Sequence, residues 1–359
     1  MTDAAIAELR ALCDILAPAG RESRMTRHMA DAFGRHSSDV TVDWQGNVTA
    51  TFGTGSPSVV LCAHMDEIGF VVRDVTDDGF LRVERVGGVG RRAALGSAVM
   101  ALGDDEPIPG MIGLASHHLT PPADYWTVPP VEEWYIDIGS ASASEAAEMG
   151  VRVGTFVTFA PNFRRLGPDK VMSKTLDNRI SCWALCELAR RFAEDPPPGV
   201  VHLLANVQEE FHLRGLIPAV KRLDPDLALT LDITPAADTP DLKGRNTVRL
   251  GGGPAVKIMD FHGRGSLNGL LVPEFLVEWI ESTADAAGIP TQREIVVGVV
   301  TDGAYLPSLD IPTAALAVPT RYTHSPSEVV SLDDLAKTAD LCEQLARRVG
   351  DVHLEGMSR

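Results

Sequence analysis

No uninterrupted apolar run in the 359-residue sequence approaches the roughly 20 residues that a bilayer-spanning helix needs, so a membrane protein of that kind is not expected. Positive charge is scarce as well: 32 Lys and Arg stand against 49 Asp and Glu, a net charge of −17 with a pI near 5.0. Such a surface suits neither nucleic acid nor an anionic membrane, and it leaves carboxylates available for cations. Cysteines are few, odd in number and scattered through apolar patterns: Cys13, Cys62, Cys182, Cys186 and Cys342. They read as reduced core residues of a cytoplasmic protein, and the Cys182/Cys186 spacing has no matching pair elsewhere with which to hold zinc. The first ten residues lack a basic segment followed by an apolar one, so no export signal is expected. Two further absences narrow the chemistry. Gly251-Gly252-Gly253 has neither the lysine nor the following helix of a phosphate loop, and a serine nucleophile elbow is missing.

What is present is the composition of a globular protein, 45% hydrophobic and 23% charged, long enough for two domains. Helical spacing appears over residues 3–17, stopped by Pro18-Ala19-Gly20, and again over residues 23–33. Two short β runs, 40–44 and 48–52, flank a turn at Gln45-Gly46-Asn47. From Gly69 to Pro161 the texture changes to short β runs separated by Gly, Pro and Asp, which predicts a β-rich domain inserted between the strands of an α/β domain. The expected division is 1–68 and 162–359 for the α/β domain, and 69–161 for the insert. After it come helices at 180–192, 276–287 and 332–349, and strands at 224–232, 294–300 and 314–318.

Several of the predicted strands end in groups that bind metals. The run Val201–Val207 shows no polar/apolar alternation, as expected of a strand buried on both faces of a parallel sheet, and it breaks into Gln208-Glu209-Glu210. Open α/β sheets place their sites beyond the carboxyl ends of such strands. On an extended backbone, neighbours point to opposite sides, so Glu209 and Glu210 are expected to have different jobs. The run 58–63 ends likewise in His64-Met65-Asp66-Glu67, where a carboxylate close to an imidazole suits a ligating histidine. Asp177 precedes a helix, where an N-cap is the ordinary role of an aspartate. Asp232 ends a strand, and His324 lies in a loop after the last one. The adjacent His117 and His118 fall in a Pro-rich loop and are left out of the site. Individually each residue has a plain structural explanation. Together, His64, Asp177, Glu210, Asp232 and His324 form a mixed N/O donor set suited to zinc, cobalt or manganese, able to hold two ions if one carboxylate bridges. Glu209, next to a ligand, is then the natural general base.

These residues carry a resemblance. Gln45–Val48, Ala63–Gly69, Ile136–Gly139, Leu176–Arg179, Val207–Glu210, Leu231–Thr234, Gly253–Asp260 and Arg321–Pro326 together resemble, in order, the motifs of the cellulase-M-like tetrahedral aminopeptidases, which include glutamyl and leucyl aminopeptidases. The resemblance implies a zinc-peptidase-like α/β fold with a mixed, mostly parallel sheet flanked by helices, and an inserted PDZ-like dimerisation domain. It implies two divalent ions, zinc first, with His64 and Asp232 on one, Glu210 and His324 on the other, and Asp177 bridging. Asp66 would orient His64, and Glu209 would activate the water they share. Peptides would be the substrates, and dimers would assemble into a dodecamer. Two departures stand near the expected substrate pocket: His212, where the family usually has glycine, and Val299-Val300, where it usually has Gly-Gly. A deacylase or carboxypeptidase on the same dinuclear core, and a non-catalytic peptide-binding assembly protein, are the competing readings.

Overall fold

The computed structural model describes residues 1–263 and 269–352, so residues 353–359 of the expected second α/β part lie outside the described residues. Its centre is four parallel strands, in the spatial order Val200–Asn206, Ser58–His64, Leu227–Pro235 and Thr313–Arg321. Antiparallel strands extend one side (Val48–Phe52, Val40–Val42) and the other (Glu328–Ser331, Lys170–Ser173, Arg164–Leu166). Ala255–Phe261 branches from the Thr313–Arg321 strand and pairs in turn with Gln292–Val297 and Gly269–Leu271. The result is a mixed, mostly parallel sheet at its core.

Helices cover both faces, which is why the central strands read as unbroken apolar runs. Val59, Leu61 and Ala63 point toward the layer containing the helices Asp3–Asp14, Ser23–Gly34, Leu176–Glu194, Glu274–Ala287 and Leu332–Arg347. Val60 and Cys62 point the other way, against Leu216–Leu223 and the 3-10 segment Asp302–Leu309. Side-chain caps fix two of the helix starts: the Thr2 hydroxyl accepts from Ala5 N, and that of Ser331 from Asp334 N. All five cysteines are free and sit in or beside this packing, as their apolar setting predicts.

Between the His64 strand and the rest of the sheet the chain makes a closed antiparallel barrel. Its strands are Gly69–Val75, Leu81–Val86, Ala98–Leu102, Pro107–Ile112, Tyr135–Asp137 and Phe156–Phe159. Closure leaves no unpaired sheet edge around its own core, where Phe70 packs on Trp134 and Phe159 with ring centroids 6.1 and 6.0 Å apart. Truncating Phe70 to alanine there would cost about 3–5 kcal/mol. The barrel is tied to the sheet through Glu67, which is buried at the junction. Its carboxylate accepts from Ala17 N (2.8 Å), from the Thr158 hydroxyl of the barrel (2.8 Å) and from Lys174 Nζ (2.6 Å). A buried carboxylate is tolerated only when its lone pairs are met in this way.

Several strand boundaries differ from the sequence reading, two of them beside the site. The strand expected over 294–300 ends at Val297, because Gly298 turns the chain into a left-handed conformation (φ 97°). The strand expected to end at Asp232 continues to Pro235, paired with Thr313–Arg321 throughout, so Asp232 lies within it.

Candidate metal centre

The expected donor residues meet at the carboxyl ends of the four parallel strands. His64 is the last residue of its strand, and the register places Asn206 beside it. Glu209 and Glu210 follow Val207 in the exit loop, where Gln208 takes φ 58° and the backbone is no longer extended. The two carboxylates line one cleft but reach different donors, Glu209 those of the His64 group and Glu210 those of the His324 group. Asp177 is not a helix cap. The helix Leu176–Glu194 is regular only beyond Asn178, no side chain caps its start, and Asp177 itself is non-helical (φ −73°, ψ 103°).

The distances separate two groups sharing one residue. His64 Nε2 lies 3.2 Å from Asp177 Oδ1, 3.8 Å from Glu209 Oε2 and 3.8 Å from Asp232 Oδ1. His324 Nε2 lies 3.3 Å from Asp177 Oδ2 and 3.7 Å from Glu210 Oε1. Asp177 therefore turns one oxygen to each histidine. Donors about 2.0–2.1 Å from a single tetrahedral ion stand about 3.3–3.4 Å apart, which is close to these separations.

The electrostatics point the same way. Burial alone would depress His64, but Glu209, Asp177, Asp232 and Asp66 outweigh it and push the imidazole well above its ordinary value. Glu210 does the same to His324 against the opposing effect of burial, with Asp177 adding to it. Burial raises Glu209 well above the carboxylate range and pushes Glu210 up to about 7. Burial would raise Asp177 too, but the two imidazoles hold it below the ordinary range. Four buried carboxylates against two imidazoles is a set short of positive charge, and Asp177 Oδ1 has no hydrogen-bond partner among the described residues. The residues fit a pair of divalent cations.

The pattern described as M42 glutamyl aminopeptidase matches residues 46–341. The chain belongs to this family. Among its relatives, SgcX of Escherichia coli (strain K12) is 41% identical, over 91% of this chain and 89% of its own. The lysyl aminopeptidase of Pyrococcus furiosus is 32% identical over 86% of each. The TET1 peptidase of Pyrococcus horikoshii, which assembles into a tetrahedron or a large octahedral shell, superposes with a TM-score of 0.86 at 31% identity, covering 95% of this chain and 99% of that one.

In this M42 chain, residues that the sequence does not single out hold the donors in place. Glu328 is buried; one oxygen accepts from Asp177 N at 2.9 Å and the other from His324 N at 2.8 Å, tying two donor-bearing segments together. Gly88 of the barrel accepts from His324 Nδ1 (2.9 Å) when that nitrogen carries the proton, leaving Nε2 to face Asp177. A Cβ on Gly88 would stand 2.6 Å from that ring nitrogen, so the approach requires glycine. Asp302, pushed up to about 7 by burial, accepts from Asn206 Nδ2 at 2.7 Å behind the centre. Apart from the contact of Glu328 with His324, four residues away, these contacts join segments far apart in sequence and have no local signature. Asp66 has two relations to the centre. Its oxygens accept from Glu209 N and Glu210 N, both at 3.0 Å, and Oδ1 lies 3.6 Å from His64 Nδ1, beyond hydrogen-bond range. His117 and His118 are exposed on the barrel and take no part. The cleft has a volume of about 780 Å³; its walls beyond the donors include Arg85, Phe211, His212, Val299, Val300 and Tyr305.

Proposed function

We propose that this M42 aminopeptidase removes N-terminal residues from peptides with a dinuclear centre, zinc being the first choice and cobalt or manganese alternatives. The observation that carries this reading is the split of donors into two groups joined by the two oxygens of Asp177. His64 and Asp232 would hold one ion, Glu210 and His324 the other, and Asp177 both. When bound, such ions supply Lewis-acid polarisation of the scissile carbonyl and lower the pKa of the attacking water. Glu209 takes the water's proton and delivers it to the leaving amine. Burial has already raised its proton affinity, which suits a group that must accept and then donate. Asp66 fixes the backbone that carries Glu209 and Glu210, and its charge, 3.6 Å from His64 Nδ1 and short of a hydrogen bond, would favour the orientation of that imidazole.

The same proposal divides the chain into 1–68 with 162–359 as the catalytic part and 69–161 as a PDZ-like insert that makes dimers on the way to a dodecamer. The separate core of the barrel supports that division, and the shell formed by the TET1 relative supports the assembly. The cytoplasm is the proposed location, in keeping with five free cysteines; among the described residues no helix is long and apolar enough to cross a membrane.

A panel of aminoacyl-chromophore substrates against the metal-reconstituted protein tests the reading. Turnover of free-amine substrates, with none of their N-blocked counterparts, is the expected result. Cleavage of blocked substrates would make the enzyme a deacylase, and binding without turnover on any substrate would leave only a peptide-binding assembly.

A further inference from the structure

Beyond its donors, the cleft is asymmetric in charge. Among the described residues lining it, Arg85 is the one lysine or arginine, His212 and His262 are the other basic side chains, and every carboxylate belongs to the centre already described. Arg85 is exposed on the barrel strand Leu81–Val86, two residues before Gly87, whose α-carbon abuts Glu210: a Cβ there would stand 3.1 Å from Glu210 Oε2. Its Nη1 donates to Val89 O at 3.4 Å, a long bond that draws the side chain over the glycine turn. Among the described residues, no carboxylate lies within 4.0 Å of its guanidinium. Elsewhere on the surface Arg152 has such a partner in Asp104, and Arg321 has one in Asp238.

An unpaired guanidinium at the rim of a cleft, with five donors in a planar fork, is matched by a carboxylate. Two carboxylates of a peptide substrate come within reach of it by covalent geometry. The side-chain carboxylate of an N-terminal Glu or Asp, and the free C-terminus of a dipeptide, each lie roughly 4–6 Å from the scissile carbon. We propose that Arg85 is a specificity-determining residue that binds a carboxylate of the substrate, so that carboxylated peptides are preferred over otherwise identical neutral ones. The proposal deepens the aminopeptidase reading and rests on it. It also gives the barrel a part in substrate selection. A lysyl side chain, by contrast, meets no carboxylate among the described lining residues other than those of the centre itself.

Two matched pairs separate the sources of the carboxylate. One compares Glu- with Gln-chromophore substrates, and the other compares Leu-Gly with Leu-Gly amide. In the metal-reconstituted full-length protein, kcat/KM favours the carboxylated member of at least one pair, the difference residing in KM. Arg85→Ala lowers that ratio about 10- to 100-fold, as expected for a charge-assisted contact, and Arg85→Lys restores part of it. The responding pair identifies which carboxylate is bound. Calorimetric binding of both pairs to Glu209→Gln protein, with and without Arg85→Ala, reads the same ratio as Kd and does not depend on turnover. If the protein bound but cleaved nothing, the aminopeptidase reading would fail while this measurement still judged Arg85. A ratio near one in both pairs, or an Arg85→Ala loss equal for carboxylated and neutral ligands, overturns the proposal.

Discussion

His64 and Asp232 stand on the central strands of the sheet, whereas Glu210 and His324 stand on loops that lead away from it. The first pair is nearly enclosed, with side-chain exposures of 2% and 9%, and its positions follow from ladder hydrogen bonds between neighbouring strands. His324 is 37% exposed, takes a left-handed backbone conformation (φ 58°), and is held by Gly88 of the barrel and by Glu328 at the start of an outer antiparallel strand. The sheet thus pre-forms one half of the centre, and the other half depends on the barrel and a loop arriving together. Pre-formed donors bind with little reorganisation, so the half built on strands should be the tighter site.

The largest test of this contrast removes what the halves share. Asp177→Ala should lose both ions in elemental analysis and lower kcat/KM by about 10³-fold or more, since several kcal/mol of charge stabilisation go with them. Full metal occupancy in that variant would deny Asp177 a bridging role. Next in size, Glu209→Gln should keep its metal while kcat falls by at least about 10²-fold, because the amide cannot take a proton. Glu210→Gln should instead lose metal from the His324 half, with partial rescue by added ion; the opposite pattern would exchange the two roles. A smaller and more selective effect is expected from Gly88→Val, which crowds the His324 ring. Affinity at one of two sites should drop by about 10- to 100-fold in a metal titration, with the other site unchanged. Equal weakening of both sites would show that the halves are not independent. The smallest change is expected from His212→Gly, which alters the cleft wall without touching a donor. The ranking of aminoacyl substrates should shift by about 1 kcal/mol, and an unchanged ranking would remove His212 from the pocket.

The same contrast explains how much could be read in advance. Strand tips are written locally: an apolar run followed by His64, or a buried strand leading to Asp232, announces itself by pattern, and so did the β-rich texture of the insert. The turn at Gln208 did not, because a non-glycine residue with φ 58° leaves no trace in composition. Asp177 looked like a helix cap because its freedom from the helix depends on Glu328, 151 residues away. His212 is instructive in another way. Its φ of 65° is a conformation that glycine, the residue the family resemblance implies there, adopts freely and a histidine only under strain.

Glu67 has a consequence for the order in which the molecule is made. It follows His64 and Asp66 almost directly, yet its closest partner, Lys174, is 107 residues further along and its barrel partner, Thr158, is 91. A chain emerging from the ribosome therefore carries His64, the first of its donors, long before the cation that neutralises Glu67 exists. Until the intervening barrel has closed and Lys174 has arrived, that carboxylate cannot be buried, and the strand tip beside it cannot settle. Metal uptake should then come in the last phase of refolding, and Lys174→Met protein, which keeps every donor, should take up metal more slowly than the unaltered chain in a stopped-flow titration with a chelating dye.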